Sequence, residues 1–403
     1  MKNKTISFEN SKGNILSGKL ELPADQHPKA YAIFAHCFTC NKNLTAVRNI
    51  SKALTQHGFG VIRFDFTGLG QSEGDFSETN FSSNIQDLED VSAYMAEELE
   101  APKLIIGHSL GGAAAIFAGK NIASIQAVAT IGAPSSPQHI QHLFKGGIEE
   151  IEANGNAMVD IGGRPFPISK QFINDISKTN MSKVVKSLRK PLLLLHSPQD
   201  TIVGVDNAAE IYTEALHPKS FVSLDGADHL LSNKEDSLYA GQIIAQWASR
   251  YIDKNEDKKL KTSKQVVVRI GNQDLTTDII AAGHSLIADE PVNVGGNDFG
   301  PSPYDLLLSS LGACTAMTLR LYADRKQWDL DEVIVHLSHN KDYATDCKDC
   351  DQPQSKIDHI EKSIELQGNL DETQKKRLLF IAEKCPVHKT LQQSVTITSN
   401  LIA

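Results

Sequence analysis

The chain lacks a surplus of positive charge, lacks long apolar runs and holds few cysteines. Each shortage removes a class of protein. Forty Lys and Arg against 49 Asp and Glu leave a formal charge of -9, with a pI near 5.9. Binding along a polyanion needs a basic face, so neither nucleic acid nor a membrane is an expected partner. No apolar stretch follows the lysines of the N-terminus, which therefore does not read as a signal peptide. The longest apolar runs, such as Leu192 to Leu195, are far too short to span a bilayer. The expected location is the cytoplasm. Six cysteines in 403 residues are too few for a disulfide scaffold. In a reducing compartment such residues are catalytic, metal-bound or inert, so their positions matter more than their number. Low-complexity tracts and internal repeats are also missing.

What remains is a globular composition, 40% hydrophobic and 22% charged. At about 150 residues per domain, this length predicts two or three domains. Between Ala30 and Leu231, short runs apolar on both faces alternate with helix-length segments: Tyr31 to Ala35, Val61 to Phe66, Lys103 to Ile106, Ala127 to Ile131, Leu192 to Leu195 and Phe221 to Leu224. That pattern predicts buried parallel strands in a doubly wound α/β sheet. An alternating stretch from Thr5 to Leu22, turning at Lys12-Gly13-Asn14, predicts an antiparallel hairpin at the sheet edge. Residues 134 to 190 break the rhythm with Gly and Pro and read as a small inserted cap. Residues 254 to 264 are charged and have little to bury, as expected of a linker. The first domain is thus placed at residues 1 to 253. The second, at 265 to 403, mixes strands and helices without parallel alternation, an α+β pattern. Its expected elements are strands at Gln265 to Ile270 and Leu275 to Ala281, a helix from Ser302 to Lys326, a strand at Glu332 to Ser338, a helix from Asp371 to Lys384, and a last strand at Gln393 to Thr398.

Chemistry enters at Gly107-His108-Ser109-Leu110-Gly111, where a strand runs into an Ala-rich helix. A serine on so sharp a turn is strained, and small residues two positions away on each side let strand and helix pass closely. A hydroxyl needs a base, and the base needs an orienting carboxylate. Asp200 follows the strand at Leu192 and His229 follows the strand at Phe221, giving the order Ser, Asp, His. Asp206, Asp225, Asp228 and His196 lie close by as alternatives. An oxyanion hole requires rigid backbone amides, and the amide of Leu110 is one candidate. These motifs resemble the α/β-hydrolase superfamily over roughly residues 5 to 250. The resemblance implies a serine hydrolase acting on small-molecule esters or thioesters. It also assigns the second oxyanion amide to Phe38, with Cys37 where such enzymes usually have glycine. Cys37 and Cys40 form a C-x-x-C pair in that loop, whose oxidation would couple hydrolysis to redox state.

In the second domain Leu307, Leu311, Cys314, Met317 and Leu321 recur at helical spacing, which places Cys314 on a buried stripe. Periodicity alone favours an inert core cysteine. Cys385 precedes Pro386, which favours an extended backbone there. Gly295-Gly296, the segment Gly300 to Cys314 and Cys385-Pro386-Val387-His388 resemble the OsmC/Ohr family over roughly residues 265 to 403. The resemblance implies an intertwined homodimer that reduces organic hydroperoxides at the expense of a dithiol reductant. Cys314 would be the peroxidatic thiol and Cys385 the resolving one, passing through a sulfenic acid to a disulfide. Two departures stand out. Tyr304, beside Asp305, occupies the position where the Ohr branch has a glutamate, and Arg269 is the only arginine between the linker and the cysteine helix. A second reading makes this domain a dimerisation and small-ligand module with structural cysteines. Cys347 and Cys350, with His336 and His339 upstream, have loose zinc-like spacing. A regular strand would turn those two histidines to opposite sides, and no metal or other cofactor is assigned.

Overall fold

The computed structural model describes residues 3–24, 26–37, 39–139, 147–160, 165–252, 260, 262–271, 275–343 and 356–401. The chain divides into two units, 1–263 and 264–403.

The first unit opens with the hairpin β1 (Asn3–Glu9) and β2 (Ile15–Glu21). Its turn is closed by Asn10, whose side-chain oxygen accepts from the amides of Lys12 and Asn14. The sheet then grows through β3 (Ala30–Ala35), helix α1 (Thr45–Gln56), β4 (Phe59–Phe64), α2 (Phe81–Glu98), β5 (Leu104–His108), α3 (Leu110–Asn121) and β6 (Ala127–Ile131). An insertion follows, comprising α4 (Ile148–Asn154), β7 (Asn156–Asp160), β8 (Pro165–Ser169), α5 (Lys170–Lys178) and α6 (Met181–Ser187). It falls within the expected cap; residues 140–146 and 161–164 of that segment lie outside the described residues. The last elements are β9 (Leu192–His196), α7 (Asp206–Glu214), β10 (Lys219–Ser223) and α8 (Lys234–Tyr251).

Eight strands form one sheet in the order β1-β2-β4-β3-β5-β6-β9-β10. From β4 onward all pairings are parallel, and the hairpin at the edge is antiparallel. Strands β3, β4, β5, β6 and β9 are buried at every position, which is why their sequences are runs rather than alternations. Helices cover both faces. Val47, Ile50 and Leu54 of α1 join Ala240, Ile244 and Ala248 of α8 in one core, and Leu88, Val91 and Met95 of α2 join Ala113 and Ile116 of α3 in the other. The expected doubly wound α/β class is what the chain adopts.

In the second unit, β11 (Val266–Ile270), β12 (Thr277–Ala281) and β13 (His284–Ala288) form a three-stranded antiparallel sheet. Helix α9 (Pro303–Lys326) starts at a reciprocal cap between Ser302 and Asp305. The long antiparallel pair β14 (Asp329–Tyr343) and β15 (Lys356–Asn369) follows, then α10 (Glu372–Ala382) and α11 (Pro386–Gln392). A small core joins Leu319 and Ala323 of α9 with Leu330, Leu370, Leu378 and Ala382.

Two expectations fail here. No strand forms at Gln393 to Thr398: the segment finds no neighbour to pair with, and Val395 and Ile397 stand exposed. The buried stripe of α9 is also rotated. Its core face is Leu311, Gly312, Thr315, Leu319 and Ala323, whereas Met317 and Leu321 are 66% and 70% exposed and Cys314 is half-buried. The helix has apolar residues on more than one face, so its period alone could not select the stripe that meets β14 and α10. By length and composition α9 is also long and apolar enough to cross a bilayer. The run-length reading overlooked this because short polar residues interrupt the run.

Candidate active sites

In the first unit, Ser109 sits between β5 and α3 with φ 56° and ψ -129°, a conformation that costs a non-glycine residue about 1–3 kcal/mol. Close packing holds it there. A Cβ on Gly111 would collide with the carbonyl of His36 at the end of β3, and one on Gly107 with the carbonyl of Gly111. The strand-turn-helix is thereby pressed against the loop that follows β3, and the side chain of Ser109 projects from the carboxyl ends of the strands.

Loops after β9 and β10 bring the partners. With its Nδ1 protonated, His229 donates to Asp200 Oδ2 at 2.7 Å, and its Nε2 lies 3.0 Å from Ser109 Oγ, positioned to accept the hydroxyl proton. The other oxygen of Asp200 accepts from the amides of Ile202 and Val203, each at 2.9 Å. Burial raises the Asp200 pKa, but the His229 bond and these amides outweigh it, and the net direction is down. Gly132, at φ 55°, passes within contact of both Asp200 and His229, where a side chain would force them apart. The alternatives are occupied otherwise. His196 donates to the Val203 carbonyl at 2.7 Å, Asp225 accepts from Ser223, Asp228 caps Ser232, and Asp206 opens α7.

Three neighbours escaped the sequence reading. His108 donates through Nε2 to the His229 carbonyl at 2.6 Å, so it orients the base from the residue preceding the nucleophile. Its own pKa is pushed down to about 3, first by burial and then by repulsion from His229. His36 donates through Nδ1 to the Cys37 carbonyl at 2.8 Å and is likewise held neutral, chiefly by burial. Lys42, fully buried, binds Asp65 at 2.5 Å, Ser17 at 3.0 Å and Gln71 at 3.0 Å. Arg63 grips the Lys42 carbonyl and pairs with Glu21. This buried network anchors the far end of the loop that begins at His36. Cys37 and Cys40 are joined by a disulfide within that loop. Leu110 lies at the start of α3, next to the serine; Phe38 lies outside the described residues.

In the second unit, Cys314 is half-buried on α9, and Cys385 is fully buried with an extended backbone at the start of α11. The structure brings the two close enough for Cys314 to act on the Cys385 thiol and favour its ionisation. Cys385 Sγ also accepts from the His388 amide at 3.3 Å and lies 3.6 Å from Thr315 Oγ1. Burial raises its pKa, yet the His388 amide, Thr315, Cys314 and Lys362 together bring it below the usual thiol value. Arg269 is engaged elsewhere, paired with Asp278 across β11 and β12 at 2.9 Å. Tyr304 stacks on His339 at 4.3 Å. His336 pairs with Glu365 and His339 with Asp358, so the two histidines serve different partners. Cys347 and Cys350 lie outside the described residues. No cluster suited to a metal occurs among the described residues.

Comparison with known proteins fits this division. Residues 26–153 match the family described as serine aminopeptidase, S33, and residues 295–400 match the family described as OsmC-like protein. The crystallised esterase domain of a Rhodothermus marinus protein is 48% identical, with a TM-score of 0.53; the match covers 99% of that domain and 62% of this chain. Alpha/beta hydrolase domain-containing protein 10 from mouse, 21% identical, shares the fold with a TM-score of 0.52 over 99% of its length and 61% of this chain. In sequence, the mitochondrial palmitoyl-protein thioesterase ABHD10 of Mus musculus is 26% identical over 215 residues, 51% of this chain and 70% of that protein. The chain belongs to the α/β-hydrolase superfamily as an esterase-type hydrolase fused to an OsmC-like domain.

Proposed function

We propose that the chain carries two chemistries: hydrolysis of a small ester or thioester at Ser109, and thiol-dependent reduction of an organic hydroperoxide at Cys314 and Cys385. The observation that carries the first is the unbroken chain from Ser109 Oγ through the His229 ring to Asp200, with spans of 3.0 and 2.7 Å. His229 Nε2 takes the serine proton as Oγ attacks the acyl carbon, then returns it to the departing alkoxide or thiolate; water repeats the sequence to free the acid. The Leu110 amide, and by chain position that of Phe38, receives the oxyanion. A thioester is included because ABHD10 of Mus musculus is named a palmitoyl-protein thioesterase.

For the second chemistry, the Cys314 thiolate attacks the peroxide's outer oxygen and the O–O bond breaks. An alcohol leaves once protonated, and Cys314 becomes a sulfenic acid. Cys385 displaces hydroxide from that sulfur to close a disulfide, which a dithiol reductant reopens. The reading includes a homodimer built on the OsmC-like domain in the cytoplasm, supported by the uncovered apolar residues Met317 and Leu321. The same residues favour the second reading, a domain that only assembles or binds a small ligand. Two measurements test the proposal. Covalent labelling by a fluorophosphonate should fall on Ser109 and block ester hydrolysis; labelling elsewhere, or unimpaired hydrolysis, refutes the first half. Cumene hydroperoxide should be consumed with dihydrolipoamide as reductant; ester hydrolysis without peroxide turnover leaves the second reading. Sedimentation should give a dimer, and Met317→Glu a monomer.

A further inference from the structure

In the OsmC-like domain two thiols lie close together, and among the described residues no arginine acts on Cys385; Arg269 is paired with Asp278. Strand β15 supplies a different cation. Ile360, Lys362, Ile364 and Leu366 share one face of β15, since side chains alternate along a strand, and all four are half-buried while Glu361, Ser363 and Glu365 are exposed. A lysine in an apolar register gives up hydration and needs local compensation. Here it finds the Ala382 carbonyl at 3.0 Å and Thr315 Oγ1 at 3.5 Å. Thr315 is completely buried and is itself 3.6 Å from Cys385 Sγ.

We infer that Lys362 is the positioning residue of the dithiol site: acting through Thr315 and through its charge, it holds Cys385 as the thiolate that closes the disulfide with Cys314. The inference rests on the peroxidase reading for its function, though not for its electrostatics. The hydroxyl of Thr315 has a single proton and two acceptors in reach, the Leu311 carbonyl at 2.8 Å and the Cys385 sulfur. Donation by Lys362 into the oxygen leaves that proton free to turn to sulfur when the thiol ionises. The groups that act on Cys385 are Cys314 and Thr315 from α9, Lys362 from β15 and the His388 amide of α11, while Glu383 acts on Lys362 and His388, and Lys384 on His388. Burial lowers the Lys362 pKa, while Cys385, Glu383 and Cys314 act in the opposite sense. The step it serves is balanced: the Cys385 thiolate attacks the sulfur of the Cys314 sulfenic acid, an S–S bond forms, the S–O bond breaks, and hydroxide leaves to be protonated by solvent. Attack by a thiolate, not a thiol, is what makes this fast.

The test is a titration of Cys385 by its thiolate ultraviolet absorbance, in full-length protein carrying Cys314→Ser, read as the difference from the Cys314→Ser/Cys385→Ser protein. Lys362→Met should raise the apparent pKa by about one unit, an approximately tenfold loss of thiolate below the pKa. Lys362→Arg should restore it, and Thr315→Val should raise it by less. Equal titrations for wild-type Lys362, Met and Arg would overturn the inference, as would an equal shift for Met and Arg, which would mark a packing effect. Peroxide turnover is measured separately on the otherwise unmutated chain. Turnover with an unmoved titration removes Lys362 and leaves the peroxidase. A shifted titration without turnover keeps the electrostatic role and removes the peroxidase.

Discussion

Under the proposed function, the two units solve the problem of a weak nucleophile differently. A hydroxyl cannot ionise near neutral pH, so the serine site must be assembled from four distant pieces of chain: the turn after β5, the loops after β9 and β10, and the loop after β3. A thiol needs only help to lose its proton, and the cysteine site is correspondingly spare: two sulfurs, one buried hydroxyl, one amide and one half-buried lysine. The first site is over-determined by buried hydrogen bonds from His36, His108, His196 and Lys42. The second sits beside a core of six buried residues. Acyl transfer at a serine depends on preorganised geometry, and thiol chemistry depends chiefly on local charge.

Breaking the geometry of the first site should therefore cost more than disturbing the second. Asp200→Asn preserves shape but removes the charge that fixes the His229 tautomer, and kcat for ester hydrolysis should fall by about 10⁴-fold; a loss below about tenfold would show that Asp200 does not orient the base. Next in size is Lys42→Met, which leaves Asp65 buried without its cation. Denaturant melts should show destabilisation of about 3–5 kcal/mol, and an unchanged midpoint would mean that the network contributes nothing to holding the loop. Smaller again, between pH 7 and 5, is the effect of a single buried histidine on stability. His108, His36 and His196 are all held below the usual histidine range, chiefly by burial. The unfolded chain, with histidines near pKa 6.5, takes up protons that the fold refuses. Stability is then complete above about pH 6.5 and declines as the pH falls below it, by up to about 1.4 kcal/mol per pH unit for each histidine still neutral in the fold, for His108 down to about 3. His108→Gln should flatten that slope in melts taken from pH 7 to 5. Least of all is the Cys37–Cys40 disulfide, which closes a very short loop. In a Cys314→Ser background, a thiol reductant should lower the esterase rate by no more than about tenfold, since under the proposed function it would loosen the loop that carries an oxyanion donor without removing that donor; equal rates would uncouple hydrolysis from redox state.

Legibility in the sequence followed the same divide. Strands buried on both faces announce themselves as runs such as Leu192–Leu195, and the strand-turn-helix around Ser109 has a spacing that few other structures need. Chain order pointed to Asp200 and His229, which the structure joins to Ser109 by hydrogen bonds. His108 and His36 were invisible because nothing in one sequence distinguishes a buried histidine from an exposed one. Lys42 was equally hidden, since its burial depends on partners at Asp65, Ser17 and Gln71. In the second unit the alternation of β15 was not recognised as a strand, and with it went Lys362, the one charged residue in an apolar register from Ile360 to Leu366. The misplaced stripe on α9 has a related cause. A helix with two apolar faces has no single direction for periodicity to find, so Thr315, on the face that meets the core, was passed over in favour of Met317 and Leu321.

The central claim is that one chain holds two separate catalytic centres. Its most direct test measures hydrolysis of a small ester and consumption of cumene hydroperoxide, side by side, in wild type, Ser109→Ala and Cys314→Ser. The account predicts that Ser109→Ala loses only the first activity and Cys314→Ser only the second. Loss of both activities in either variant, or absence of peroxide consumption in the wild type, would contradict it.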